Sequence, residues 1–201
     1  MGSRLPRCSA PSFVSKVAEH VPPELHQALA PVLDTIRELT ARIRSYDREI
    51  ERLCTERYPE TERLRQVSGV GSLTALAYVL VLEDPDRFAC SRAVGPYLGL
   101  RPKRADSGDT RPQLRISKGG DELLRKLLVQ SAHYVLGPFG PDTDLRRWGH
   151  RLAARGGKNA KKRAVTAVAR KLAVLLRRLW VTGAEYEPLR HQRPRSSFSH
   201  T

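Results

Sequence analysis

Apolar residues recur at alternating spacings of four and three positions over a segment near the start of the chain. They are Leu25, Leu29, Val32, Ile36, Leu39, Ile43, Tyr46, Ile50 and Leu53. Charged residues of both signs fill the positions between them, as on the solvated flank of a coiled coil. The pattern predicts a coiled-coil helix over residues 25–58. Such a seam does not identify its partner, so packing on its own domain and dimerisation both remain open.

Neither end of the chain carries this pattern. Residues 1–24 contain four prolines and are expected to form a flexible N-terminus. Residues 186–201 are rich in Arg, Ser and His, and are expected to be a disordered tail.

Two glycines separate two apolar segments at residues 64–82. Leu64 and Val67 close the first segment, Gly69 and Gly71 follow, and Ala75 lies in the second. The order apolar-x-Gly-apolar-Gly-x-x-x-Ala matches the helix-hairpin-helix motif. Both glycines are expected to bend the backbone, at the positive φ that such turns often need, and the amides of the second helix are then able to approach a DNA phosphate. The alternative is an ordinary helical hairpin that needs glycine for its turn.

Three further segments have helical spacing. A short helix is predicted at residues 93–100. A longer helix, with leucines on one side, is predicted to begin at Asp121. In the last helix, the inward residues are expected to be Val165, Val168, Leu172, Leu175 and Leu179. The outward ones are expected to be Arg170, Lys171, Arg177 and Arg178. The chain is therefore predicted to be all-α, with a coiled-coil arm followed by a helix-hairpin-helix domain at residues 59–185 that ends in a basic helix.

The net positive charge is confined to the second half of the chain. Residues 1–100 hold 13 Lys and Arg against 13 Asp and Glu, whereas residues 101–201 hold 23 against 8, which accounts for the net charge of +15. Such asymmetry indicates a polyanionic partner, and the absence of a lipid-facing stripe favours nucleic acid over membrane. The alternative is a solvated basic surface.

Within this half, one serine lies in a loop surrounded by cations. The serine is Ser107, and the cations are Arg101, Lys103, Arg104, Arg111, Arg115 and Lys118. Guanidinium and ammonium groups hold phosphate, so the serine is a candidate nucleophile toward a phosphodiester. The alternative is an ordinary turn at Asp106-Ser107-Gly108, since these residue types favour turns.

Two predicted helix starts offer further anion sites. Residues 116–120 place backbone amides, the Ser117 hydroxyl and the Lys118 ammonium before a helix, which predicts an anion site. The alternative is simple capping by Asp121. The start of the last helix carries Lys158, Lys161, Lys162 and Arg163. Positive charge at a helix start opposes the helix dipole, and a phosphate partner would relieve that cost.

The remaining composition narrows the class of protein. Cys8, Cys54 and Cys90 are widely spaced, form no metal-ligand pattern, and suit a reducing compartment. No apolar run approaches membrane-spanning length, and the first residues lack a secretory core. The expectation is a cytoplasmic protein with no membrane partner and no cofactor of its own.

Taken together, these residues resemble the DEDD transposases of bacterial insertion sequences, the insertion sequence one-ten type. The likeness covers roughly residues 30–185. Its motifs are Ser68-Gly-Val-Gly71, Tyr97-Leu-Gly-Leu-Arg-Pro102, Ser107-Gly108, Ile116-Ser-Lys-Gly-Gly120 and Leu124-Arg125. Members of this family are bridge-RNA-guided recombinases in which a coiled coil joins an N-terminal RNase H-like domain, with four acidic metal ligands, to a C-terminal transposase domain.

The resemblance implies DNA transposition or site-specific recombination, with residues 59–185 as the transposase domain. It implies that Ser107 is the nucleophile and forms a transient covalent link to DNA. It also implies a structured guide RNA and a homo-oligomer formed through the coiled coil. Ser117 is a rival hydroxyl, but the family match assigns the role to Ser107.

One part of the family pattern is missing from this sequence. Residues 1–24 contain only Glu19 and Glu24 as acidic residues, so the acidic tetrad that binds Mg²⁺ is not found. The expectation is a truncated transposase that binds nucleic acid and recombines little by itself, so enzymatic activity is left open. The alternatives are a non-enzymatic helix-hairpin-helix DNA-binding module and an RNA-binding adaptor that uses the basic last helix.

Overall fold

A computed structural model describes residues 7–103 and 114–190 of the chain. Within these ranges the secondary structure is helical, apart from one isolated antiparallel bridge between Pro102 and Ile116. The prediction of an all-α protein is therefore confirmed. The chain divides into two compact units, residues 1–52 and 53–201, and the boundary falls inside a long helix.

The first unit contains a short helix, α1 (Ala10–Ala18), and most of the long helix α2 (Pro23–Glu56). The segment that was expected to be a flexible N-terminus thus includes a helix. Pro11 lies in the first turn of α1, where its missing N–H costs nothing, and Val17 is buried. The number of prolines does not reveal this helix, because a proline in the first turn of a helix leaves no hydrogen bond unmade.

Helix α2 coincides with the predicted helix at 25–58 to within two residues at each end. Its apolar seam is largely uncovered in the single chain. The side chains that are more than half exposed are Leu25, Val32, Leu39, Ile43 and Tyr46. The helix is confirmed, and its pairing as a coiled coil stays a prediction.

The second unit contains six further helices among the described residues. They are α3 (Thr61–Arg65), α4 (Ser72–Leu82), α5 (Val94–Tyr97), α6 (Glu122–Leu136), α7 (Asp144–Ala154) and α8 (Ala160–Thr182). Two 3₁₀ turns, Pro85–Arg87 and Ser91–Ala93, join α4 to α5. None of the described helices is long and apolar enough to cross a membrane.

Helix α8 is the centre of this unit and packs against α3, α5, α6 and α7. The inward residues were predicted correctly: Val165, Val168, Leu172 and Leu179 are buried, and Leu175 is partly buried. These apolar side chains lie along one face of the helix, and their removal from water is the main driving force for this packing.

One buried hydroxyl ties α4 to α8. The Tyr78 hydroxyl donates a 2.6 Å hydrogen bond to the Ala173 carbonyl, and its ring meets the Trp180 ring edge to face at 6.4 Å. Burial raises the pKa of Tyr78 well above its usual range, so the phenol stays protonated and keeps donating.

The outward assignment of Arg177 was wrong. Arg177 is only 6% exposed, and its guanidinium donates to the Pro85 carbonyl, the Phe88 carbonyl and the Ser91 hydroxyl. Helical spacing alone predicts that this arginine is exposed to water. The spacing carries no information about backbone acceptors that a distant loop brings next to the helix. Here the guanidinium satisfies acceptors of the two 3₁₀ turns and fixes them on α8.

The first residues of the segment predicted to be a disordered tail make hydrogen bonds to earlier parts of the chain. The Tyr186 amide donates to the Gln66 side-chain oxygen at 2.8 Å, and the Asp144 amide donates to the Pro188 carbonyl at 2.8 Å. Burial raises the pKa of the Tyr186 phenol. Tyr186 and Pro188 are thus held within the second unit, and residues 191–201 lie outside the described ranges.

Candidate nucleic-acid interface

The glycine-containing turn joins α3 to α4 and is anchored by two buried valines, Val67 and Val70. The first backbone hydrogen bond of α4 runs from the Ala75 amide to the Gly71 carbonyl at 2.9 Å. The Leu73 and Thr74 amides belong to the first turn, whose N–H groups are not used by the helix's own hydrogen bonds. The start of α4 therefore combines backbone donors with the positive end of the helix dipole.

The two turn glycines have different conformations. Gly69 has a φ of +88°, and a Cβ there would lie 3.0 Å from Tyr134 Cδ1 and 3.1 Å from the Ser131 carbonyl oxygen. Gly71 has an extended backbone with φ −90° and ψ 178°, and a Cβ there would meet nothing within 4 Å. The expectation of a positive φ is confirmed for Gly69 and wrong for Gly71. What Gly71 provides is open space in front of the helix start.

A short antiparallel ladder holds both ends of the segment that contains the predicted serine loop. The Lys103 amide donates to the Arg115 carbonyl, and the Ser117 amide donates to the Arg101 carbonyl, both at 2.9 Å. Arg104, Ser107 and Arg111 lie outside the described residues. The described flanks of the loop are therefore held side by side.

The turn before α6 is held by a capping aspartate and a clamping arginine. The Asp121 carboxylate accepts a 2.6 Å hydrogen bond from the Leu124 amide, so the capping alternative for this turn is confirmed. Arg125 donates to the Gly119 carbonyl at 2.8 Å and to the Leu98 carbonyl at 3.3 Å. Lys118 has a φ of +59°, and its side chain and that of Ser117 remain exposed.

A cleft of about 940 Å³ lies between this ladder, the end of α7 and the first turns of α8. No Asp or Glu is present among the described residues that line it. The cations that line it are Lys103, Arg115, Lys118, Arg155, Lys162, Arg163 and Arg170. A concave surface with one sign of charge focuses the electric field and attracts polyanions. We call this surface the basic cleft.

The sequence-predicted cations divide into three groups in the structure. Lys103, Arg115, Lys118, Lys162 and Arg163 come together in the basic cleft. Arg101, Lys158 and Lys161 are exposed but do not line it. Arg104 and Arg111 are not described. Arg163 also donates to the Gly156 carbonyl at 3.1 Å, which ties the α7–α8 loop to the first turn of α8.

Two cleft cations were not among the predicted site residues. Arg155 ends α7, and Arg170 lies on α8, eight residues after Lys162. Positions 162, 166 and 170 share one helix face and all line the cleft. The spacing of four residues from Lys162 is therefore the sequence signal from which Arg170 could be predicted. Arg155 carries no comparable signal, because its position depends on how α7 packs.

An aromatic ring lies beside these cations. Trp148 lines the cleft, and the Lys171 ammonium lies 4.4 Å from the centre of the Trp148 ring. Partial burial, together with the charge of Arg151, lowers the pKa of Lys171. An ammonium over an indole face is a cation–π contact, which holds the ring in place at the cleft wall.

Metal-ligating residues do not cluster in the described part of the chain. No group of three or more His, Cys, Asp or Glu side chains there is placed to hold a metal ion. The described residues therefore do not fit Mg²⁺.

The glycine-containing turn and the ladder lie in a stretch that matches a known family. Residues 61–144 match the model of the Transposase IS116/IS110/IS902 family. This stretch, which begins at α3 and ends at the start of α7, is similar to the domain of that family. The resemblance drawn from the sequence motifs is confirmed to that extent.

Of three curated relatives, two are named transposases and the third is named a gene-inverting protein. The chain is 29% identical over 167 residues to the transposase for insertion sequence element IS1111A of Coxiella burnetii, covering 83% of this chain and 45% of that protein. It is 30% identical over 169 residues to a probable family 20 transposase of Pseudomonas aeruginosa, covering 84% and 49%. It is also 27% identical over 165 residues to the pilin gene-inverting protein of Moraxella lacunata, covering 80% and 47%. The chain thus spans about half the length of the curated relatives it matches.

Proposed function

We propose that this chain is the DNA-binding, serine-bearing part of an insertion-sequence transposase, and that Ser107 attacks a DNA phosphodiester held in the basic cleft. One observation carries the proposal: the described flanks of the serine loop, Lys103 and Leu114, both line the cleft. Ser107 follows Lys103 by four residues in the sequence. The names of the relatives, transposases and a gene-inverting protein, agree with DNA rearrangement as the activity.

The reaction conserves phosphoester bonds. The Ser107 Oγ attacks phosphorus, an Oγ–P bond forms, and the P–O bond to one DNA strand breaks as that deoxyribose oxygen takes up a proton. The hydroxyl of another strand then attacks the same phosphorus and releases Ser107. Strands are exchanged without an external energy source, because one phosphoester replaces another at each step. Cleft cations offset the negative charge that develops on the phosphorane oxygens.

The hairpin supplies a second phosphate contact in this proposal. A phosphate approaches the amides at the start of α4 through the open space beside Gly71, while Gly69 provides the bend. The hairpin then fixes the register of the duplex and the cleft holds the reacting phosphate, since backbone contacts position DNA without reading its sequence.

We expect alanine to affect folding stability at Gly69 and DNA binding at Gly71. Gly69→Ala forces a methyl group against Tyr134 at a positive φ, and should destabilise folding by about 1–2 kcal/mol. Gly71→Ala should cost less than about 1 kcal/mol but weaken DNA binding, because its methyl group occupies the phosphate approach. Urea denaturation and fluorescence anisotropy measure the two effects. Unchanged DNA affinity in Gly71→Ala would remove the hairpin from the interface.

Salt dependence tests the basic cleft. The double variant Lys103→Gln/Lys162→Gln removes one cation from each wall, and the slope of log affinity against log salt should flatten by about 2 units. The matched control, Lys158→Gln/Lys161→Gln, makes the same charge change at exposed lysines outside the cleft lining, and should flatten the slope by less than about 0.5 units. Equal slopes for the two variants would contradict binding in the cleft.

Three further parts are proposed from the resemblance. The exposed seam of α2 pairs with a second copy of the chain, a structured guide RNA binds to the complex, and an RNase H-like domain supplies the acidic metal site. A non-enzymatic DNA-binding module or an RNA adaptor would show the same salt behaviour but form no covalent adduct, so adduct formation separates these functions.

A further inference from the structure

A second concave surface lies beside the hairpin, between α4 and α6. It is an open groove of about 510 Å³, and Gly71, which immediately precedes α4, forms part of its wall. The groove therefore shares a wall with the backbone donors at the start of α4. We call it the hairpin groove.

The lining of the hairpin groove differs from that of the basic cleft. None of its lining residues is charged, although the second half of the chain is strongly basic. Leu73 and Tyr134 are each 46% exposed there, and the exposed Gln130 carries a side-chain amide. A neutral, partly apolar surface with one amide does not suit a phosphate, but it suits an uncharged flat group with polar edges.

The Tyr134 ring is held against the turn. The Gly69 backbone packs so closely on it that even a methyl group at residue 69 would lie 3.0 Å from Tyr134 Cδ1. Ser131 lies three residues before Tyr134 on the same helix, and its hydroxyl donates a 3.0 Å hydrogen bond to the Leu127 carbonyl. A ring fixed in this way needs little further ordering when a ligand stacks on it.

We propose that the hairpin groove binds an unpaired nucleobase, stacked on Tyr134, next to a phosphate at the start of α4. The inference rests on the proposed function, because it takes the hairpin to contact DNA. Every nucleobase offers a π face to the ring and a polar edge to Gln130, while its charged phosphate remains outside the neutral groove. The groove thus recognises a base that has left the duplex, as strand exchange requires.

The experiment compares two DNA duplexes that differ at one position, one fully paired and one with a single unpaired 2-aminopurine. Wild-type protein should bind the second about tenfold more tightly, and stacking on Tyr134 should quench the 2-aminopurine fluorescence. Tyr134→Ala should abolish both the preference and the quenching, whereas Tyr134→Phe should keep both. Tyr134→Leu replaces the ring by an apolar side chain, and serves if the alanine variant does not fold.

The controls separate this inference from the proposed function. Phe139, which is 83% exposed and lies outside the groove lining, provides Phe139→Ala as a matched loss of an exposed ring, and this variant should keep the preference. The salt slope should not change in any Tyr134 variant, because no charge is removed. Salt-dependent binding without a preference for the unpaired base would overturn the groove assignment alone. A preference that survives loss of the Tyr134 ring, or vanishes equally in Phe139→Ala, would also overturn it. Absence of DNA binding by the wild-type protein would overturn the proposed function as well.

Discussion

Ser107→Ala should abolish the covalent link between protein and DNA while leaving folding and salt-dependent binding unchanged. The wild-type chain is incubated with labelled DNA that carries the ends of the element, together with an RNase H-like domain and guide RNA. A labelled species of protein size in a denaturing gel reports the adduct. In the alanine variant this band should disappear.

The size of this effect follows from the chemistry. Alanine removes the only side-chain atom of residue 107 that can bond to phosphorus, so the covalent step is lost rather than slowed. Binding depends on cations and backbone donors at other residues, and should therefore persist. Ser107→Cys should retain at most a trace of adduct, since a thiolate is a competent nucleophile with a different bond length and geometry.

Ser117→Ala is the matched control for this experiment. Ser117 lies at the foot of the same loop, and its backbone amide pairs with Arg101, so the side chain is replaced without disturbing the ladder. This variant should still form the adduct. An adduct that survives Ser107→Ala and vanishes in Ser117→Ala would transfer the nucleophile to residue 117 and contradict the proposed mechanism.

The helices could be predicted from the sequence because their signals are local. Alternating spacings of four and three define α2, and the capping aspartate Asp121 marks the start of α6. These signals act within a turn or two of the chain, where apolar periodicity and backbone capping determine the conformation. The turn at Gly69, with its positive φ, belongs to the same class of signal.

The assembly of the site could be predicted only in part. In the sequence, cations can be grouped only by their positions along the chain. In the structure, Lys162 lines the basic cleft but the adjacent Lys161 does not. That selection depends on which side of α8 faces the ladder at residues 101–103 and 114–117. Arg155 enters the cleft by the packing of α7, and no pattern within its own segment indicates this.

Arg177 is the clearest case of a tertiary contact that local patterns miss. Its guanidinium donates to acceptors that lie 86 to 92 residues earlier in the chain, and its charge lies 5.9 Å from the centre of the Phe88 ring. The two 3₁₀ turns that it holds lead through α5 to residues 101–103, which form one side of the ladder. Arg177 therefore connects the core helix to the segment that carries the cleft.

Replacing Arg177 by alanine should be the most destabilising single substitution among the basic residues of α8. It leaves the Pro85 carbonyl, the Phe88 carbonyl and the Ser91 hydroxyl without their donor in a partly buried position. A fully buried acceptor left without a donor costs about 1–3 kcal/mol. With partial compensation by entering water, a total of about 3 kcal/mol is expected, measured by urea denaturation. Arg178→Ala, at the adjacent and exposed position, should change stability by less than about 0.5 kcal/mol. Equal denaturation midpoints for the two variants would show that the guanidinium contacts do not stabilise the fold. If the midpoints differ as expected, the loss of DNA affinity in Arg177→Ala at low urea will measure how strongly the cleft depends on these turns.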